Sequence, residues 1–95
     1  MKVKIKYFGY IRTILNKREE HFELDDCASL YDLLNKLAGI HGAVFRKEVY
    51  EPGRKKVKTG FSVTVNGVLI SQLGGLDFKL SEDDNIILMS LMSGG

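Results

Sequence analysis

Polar and apolar residues alternate from the start of the chain. In "KVKIKYF" Val3, Ile5 and Tyr7 fall on one side of an extended backbone and Lys2, Lys4 and Lys6 on the other, the period of a half-buried strand. A strand is therefore predicted over residues 2–8. "LNKR", within residues 12–18, reads as a turn, and Phe22 and Leu24 sit two apart in "EHFEL", predicting a second, shorter strand that closes a hairpin with the first. The period then changes. Leu30, Leu33, Leu34 and Leu37 recur at i, i+3, i+4 and i+7, one apolar stripe on a helix over residues 30–38. Ser29 is its expected N-cap, Asp32 suits the positive end of the helix, and Gly39 or Gly42 can end it in the left-handed conformation.

Residues 41–60 sustain no period and hold the single proline, so they read as an irregular excursion with room for one extra turn, pinned by Phe45 and Tyr50. "FSVTVNGVLI" is the clearest hairpin: Phe61, Val63 and Val65 point inward, and Asn66-Gly67 supplies the two positive-φ residues of a type I′ turn. A turn-rich connection follows, anchored by Leu73, Leu76, Phe78 and Leu80. The last run, "IILM", is continuously apolar, as a central strand covered on both faces or pressed against a partner would be. One helix among five strands makes an α+β domain, with the last strand pairing in parallel with the first because a long crossover separates them.

Length and composition narrow the functional classes. Ninety-five residues provide one modest core and no room for a composite active site between domains. A hydrophobic share of 44% and a charged share of 27% are ordinary for a globular domain, and the longest apolar stretch is too short to cross a bilayer. The alternating N-terminus does not resemble a secretory signal, and one cysteine leaves no internal disulfide, so a cytoplasmic protein is expected. A net charge of +2 does not by itself argue for nucleic acid.

Isolated candidates for chemistry are weak. Arg46, Lys47, Arg54, Lys55, Lys56 and Lys58 crowd the excursion; an RNA-binding arm with Phe45 and Tyr50 as stacking residues is conceivable, but a solvated loop is the simpler reading. His21, His41 and Cys27 match no zinc spacing and lack a fourth ligand, so no metal is expected, and Cys27 is most simply a small buried hydrophobe. "QLGGLD" lacks the lysine and following helix of a phosphate loop. Phe8 continues the outward phase of the three lysines, and Leu69 and Met89 are out of phase with their inward neighbours. Together they form either a contiguous exposed patch of the kind that marks a partner site or three unrelated exposed side chains.

The ordered set "KYFGYIR", "SLYDLLNKLA", "VNGVLI", "LGGLDFKLSEDDNIIL" and a terminal Gly-Gly resembles the ubiquitin-like sulfur carriers of the MoaD and ThiS kind across nearly the whole chain, MoaD most of all. The resemblance implies a β-grasp domain over residues 1–90, with residues 41–60 as an insertion, and a functional tail over residues 91–95. It implies that the Gly95 carboxylate is the reacting group, adenylated by an E1-like enzyme and converted to a thiocarboxylate. Leu91, Met92, Ser93 and Gly94 would form the stem that enters the partner's site, and Phe8, Leu69 and Met89 a docking face beside it. The carrier itself would bind no cofactor, ATP and magnesium being used by the activating enzyme. The implied partners are that enzyme and the large subunit of molybdopterin synthase, with neither nucleic acid nor membrane.

The chemistry suits such a tail. A carboxylate is a poor acyl donor until converted to a mixed anhydride, and glycine without a Cβ lets the backbone pass through a narrow channel. Five extended residues reach roughly 17 Å at about 3.3–3.6 Å each, enough to enter a pocket while the domain stays outside. The alternative is a ubiquitin-like modifier joined through Gly95 to lysines of target proteins. A plain binding module that uses the basic excursion is a third reading, in which the terminus plays no part.

Overall fold

The computed structural model describes residues 1–50 and 56–90. The alternating first segment forms β1, Lys2–Phe8, and buries Val3, Ile5 and Tyr7 as its pattern requires. It is followed by α1, Tyr10–Leu15, an unexpected helix, and the expected turn at "LNKR" comes directly after it. Six residues are too few to hold a helix in isolation. This one exists because Ile11 and Leu15, four apart, dock into the core, and Asn16 ends it at φ 55°, ψ 40°. The chain then returns as β2, Glu19–Glu23, antiparallel to β1 with Val3 opposite Phe22.

The long helix α2, Leu30–His41, has the predicted face: Leu30, Leu33, Leu34 and Leu37 are all fully buried. Ser29 caps it. Its hydroxyl accepts from the Asp32 amide at 3.2 Å, while the Asp32 carboxylate accepts from the Ser29 amide at 2.8 Å, so two otherwise orphaned donors are satisfied reciprocally. Two more first-turn amides, of Leu30 and Tyr31, donate to the carbonyls of Phe78 and Leu76 in the distant connection. Gly42, at φ 73°, ends α2 and opens α3, Ala43–Glu48. Thus the extra turn allowed for in the excursion is a short helix at its start, and Phe45 and Tyr50 are both buried, as expected of residues that pin it. The helix displays no long periodicity because Phe45 is its one buried residue, and the fully buried Val49 and Tyr50 follow directly after it.

Two hairpin strands, β3 (Phe61–Val65) and β4 (Val68–Leu69), flank the expected turn, with Asn66 at φ 51° and Gly67 at φ 87°. A single 3₁₀ turn over Ile70–Gln72 follows, and Leu76 and Leu80 of the connection are buried, while Leu73 and Phe78 pack against the core less completely. The buried Asp84 carboxylate closes this region, accepting from the Asn66 side chain at 2.8 Å and the Ser81 amide at 2.7 Å. The final strand β5, Asn85–Ser90, lies at the centre of a five-stranded mixed sheet of order β2-β1-β5-β3-β4, parallel to β1 and antiparallel to β3. Ile86 and Leu88 are fully buried on its inner face, whereas Ile87 and Met89 lie on the opposite face without full burial.

Two polar groups of the interior deserve chemical notice. Glu20 is largely buried and accepts from the Tyr7 hydroxyl at 2.6 Å and the Lys17 ammonium at 3.2 Å, with His41 Nε2 at 2.8 Å. Burial works to raise its carboxyl, but the hydrogen bonds from Tyr7, His41 and Lys17 outweigh it and hold the group below its usual range. Tyr50 is fully buried, its hydroxyl donates to Asn35 at 2.8 Å, and burial, with Tyr31 nearby, pushes the phenol well above its ordinary value.

Candidate functional site

Because side chains alternate across a strand, the residues that β1, β3 and β5 do not turn toward α2 share the outer face of the sheet. Register fixes their arrangement. Phe8 lies directly beside Met89, which lies beside Ser62; the next row runs Lys6, Ile87, Thr64 and Leu69, and the row after pairs Lys4 with Asn85. Phe8, Leu69 and Met89 are 41, 46 and 36% exposed. The structure therefore brings Phe8 and Met89 together as strand neighbours and sets Leu69 on the same face, one row back and on the edge strand, with Thr64 and Ile87 between it and the pair. Lys4 and Lys6 border this apolar ground on the β2 side.

The C-terminal residues Leu91, Met92, Ser93, Gly94 and Gly95 lie outside the described residues. The strand that precedes them does not. Ser90 is the last residue of β5, paired with Phe61 of β3, and follows Met89 immediately, so the exposed pair Phe8 and Met89 sits at the end of the sheet from which the chain continues to residue 91. Gly9, at φ 80° and ψ −148°, lies against Ser90 at this same end. Gly9 escaped notice in the sequence, where "FGY" reads only as the end of a strand. Tyr10, exposed and adjacent in sequence, was also missed because α1 was not foreseen.

The other candidates fare differently. Cys27 is exposed, contrary to its reading as a buried hydrophobe. It occupies the Asp25–Ala28 turn, closed by the Ala28 amide on the Asp25 carbonyl at 3.0 Å, and that turn sends Ala28 into the core instead. Phe45 and Tyr50 are fully buried, so neither can stack on a base. Within the basic excursion, Arg46 donates to the Ala38 carbonyl at 3.2 Å and Lys58 to the Lys47 carbonyl at 2.5 Å, contacts that place positive charge near the ends of α2 and α3. Arg54 and Lys55 lie outside the described residues. Among the described residues no three His, Cys, Asp or Glu side chains gather to hold a metal ion, and no helix is long and apolar enough to cross a membrane.

Solved structures share this architecture. The chain superimposes on SAMP1 from Haloferax volcanii with a TM-score of 0.80 at 21% identity, covering all of both chains. It matches Urm1 from Trypanosoma brucei with a TM-score of 0.81 at 16% identity, over 99% of this chain and 95% of that one. A Pyrococcus furiosus protein described as molybdopterin converting factor subunit 1 gives a TM-score of 0.77 at 26% identity, over 97% and 99% of the two chains. These neighbours carry the β-grasp, ubiquitin-like fold. No curated protein sequence matches. The ThiS family model matches residues 5–95, nearly the full length, and the chain thus belongs to the ThiS family of ubiquitin-like sulfur carriers.

Proposed function

We propose that this protein is the small, sulfur-carrying subunit of a molybdopterin synthase, activated at the carboxylate of Gly95. The observation that carries the reading is the family match, which runs through residue 95 and so includes the Gly-Gly pair. The 26% identity to the Pyrococcus furiosus protein supports the molybdopterin branch of it. In this reading an E1-like partner binds ATP and magnesium. The Gly95 carboxylate oxygen attacks the α-phosphorus, the bond to the β-phosphate oxygen breaks, and pyrophosphate leaves. A sulfur nucleophile at the oxidation level of sulfide then attacks the carbonyl carbon. The bond to the AMP oxygen breaks, AMP departs with the electron pair, and a thiocarboxylate remains. The thiocarboxylate sulfur then attacks an electrophilic carbon of a precursor held by the synthase large subunit as a leaving group departs from that carbon, and water cleaves the acyl–sulfur bond, which leaves the sulfur on the precursor and restores the Gly95 carboxylate.

Phe8, Leu69 and Met89 supply the docking face in this proposal, and Leu91, Met92, Ser93 and Gly94 the inserted stem. An apolar patch bordered on one side by Lys4 and Lys6 suits a partner surface with an apolar centre and carboxylates facing that border, where the charges set the encounter rate and the buried side chains the affinity.

The test is direct. The protein is incubated with ATP, magnesium, a cognate E1-like enzyme and a sulfur source, and pyrophosphate release is followed together with the C-terminal mass. Pyrophosphate and the exchange of one oxygen for sulfur are expected, and deletion of Gly95 or addition of one residue after it should abolish both. An extended protein that is activated as well as the parent refutes the carrier reading. Activation followed by lysine conjugates without thiocarboxylate replaces it with the modifier reading.

A further inference from the structure

We infer that Gly9 is a positioning residue that sets the direction in which the C-terminal segment leaves the sheet; the inference rests on the carrier reading above. Six glycines of the described chain have positive φ. At Gly42, Gly60, Gly67, Gly74 and Gly75 an added Cβ would meet nothing within 4 Å, so those glycines serve only the local turn. Gly9 is different. A Cβ there would stand 2.7 Å from the Ser90 carbonyl oxygen and 3.3 Å from the Ser90 Cβ, where ordinary contact begins near 3.4 Å. The obstacle is backbone, which no rotamer change can move aside.

Neither side has an easy retreat. Phe8, one residue earlier, is held in parallel register with Met89, and the Gly9 carbonyl accepts from the Arg12 amide at 3.1 Å in the first turn of α1. That helix is itself fixed by the buried Ile11 and Leu15. Strand β5 is clamped up to Leu88 and Met89 by pairing on both sides. Ser90, whose carbonyl the added Cβ meets and whose register partner is Phe61 of β3, must then shift against that pairing, and it is the residue from which residues 91–95 continue. A shift of the Ser90 carbonyl therefore changes the point and direction at which the chain leaves β5. The empty side of Gly9 lets β5 press close to the β1–α1 junction and holds the exit in one direction.

The experiment compares Gly9→Ala with Gly74→Ala in ATP–pyrophosphate exchange by a cognate activating enzyme, with stability measured in parallel. Both substitutions impose positive-φ strain, at φ 80° and φ 90°, but only the first collides with Ser90. Gly9→Ala should lose at least about tenfold in kcat with KM changed by less than about twofold, since misplacement by ~1 Å can cost on the order of 100-fold. Gly74→Ala should lose stability and keep the parent's kcat. A third variant, one glycine inserted between Ser90 and Leu91, changes the exit without touching Gly9 and should also slow turnover. A Gly9→Ala protein that turns over like the parent overturns the inference. So does an insertion variant with unchanged kcat, whether or not Gly9→Ala folds, because a terminus that tolerates a whole extra residue does not need its exit fixed. A parent that releases no pyrophosphate overturns the carrier reading, and the role of Gly9 with it. An active parent beside an equally active Gly9→Ala overturns only the latter.

Discussion

Replacing Tyr7 by phenylalanine removes one hydroxyl and keeps the buried ring, so it isolates a single interaction. That hydroxyl sits in a side chain 1% exposed and donates to Glu20 at 2.6 Å, a short bond to an ionised, largely buried acceptor. Hydrogen bonds to charged groups contribute about 1.5–3 kcal/mol, so Tyr7→Phe should destabilise by about that much at neutral pH and lower Tm by on the order of 10 °C. Glu20 retains Lys17 and His41, which keeps the loss below that of an unpaired buried carboxylate. The effect should depend on pH. The Glu20 carboxyl is held below its usual range in the folded protein, so its contribution is present above the unfolded pKa and fades as pH falls through the folded value. Once the carboxyl is protonated the bond becomes a neutral one, and the cost of Tyr7→Phe should shrink to about 0.5–1.5 kcal/mol. Tyr7 itself does not titrate in this window, because burial and Glu20 push its phenol far above the ordinary range. Urea denaturation of parent and variant at pH 7, 5 and 3 reads all of this. A cost under about 0.5 kcal/mol at pH 7, or one that grows as the pH falls, would refute the reasoning.

Other expectations follow from the same geometry. Leu34→Ala, a truncation at a fully buried position on α2, should cost roughly 2–5 kcal/mol by chemical denaturation; a loss under about 1 kcal/mol would mean the site collapses around the cavity. Ser29→Ala breaks both hydrogen bonds that the hydroxyl shares with Asp32 and should cost about 1 kcal/mol, visible as a lowered midpoint with unchanged slope. Phe8→Ala should leave the fold nearly intact and weaken binding to the activating enzyme or the synthase large subunit by more than about 1 kcal/mol in calorimetric titration. Equal affinity would return Phe8 to an incidental exposed side chain. Lys4→Glu with Lys6→Glu should slow association and flatten its dependence on salt, while a dissociation rate that carries the whole change would argue against a peripheral role.

Strong periodicity was sufficient wherever an element buries a long, regular face. The alternation of Val3, Ile5 and Tyr7, the leucine stripe of α2, the Ser29–Asp32 cap and the Asn66-Gly67 turn are each set by neighbours a few residues apart, so the linear order of side chains already contains them. The central place of β5 was legible from its unbroken apolar run and its parallel pairing from the long crossover, but only the face with Ile86 and Leu88 is buried, while Ile87 and the exposed Met89 lie on the other. The outward phase of Phe8, Leu69 and Met89 was legible as well, though not that Phe8 and Met89 would be direct neighbours, which depends on a register between residues 81 positions apart. What the sequence could not decide are features whose cause is remote. Helices α1 and α3 are six residues each, below the length at which local preference suffices, and exist only because Ile11, Leu15 and Phe45 find a core built by other segments. Cys27 faces outward because a turn gave the inward place to Ala28. Glu20 gathers partners from β1, from α2 and from the turn after α1, and Gly9 must lack a side chain because Ser90 passes beside it. Patterns of a few residues record which way a segment faces, whereas packing between distant segments decides what it meets there.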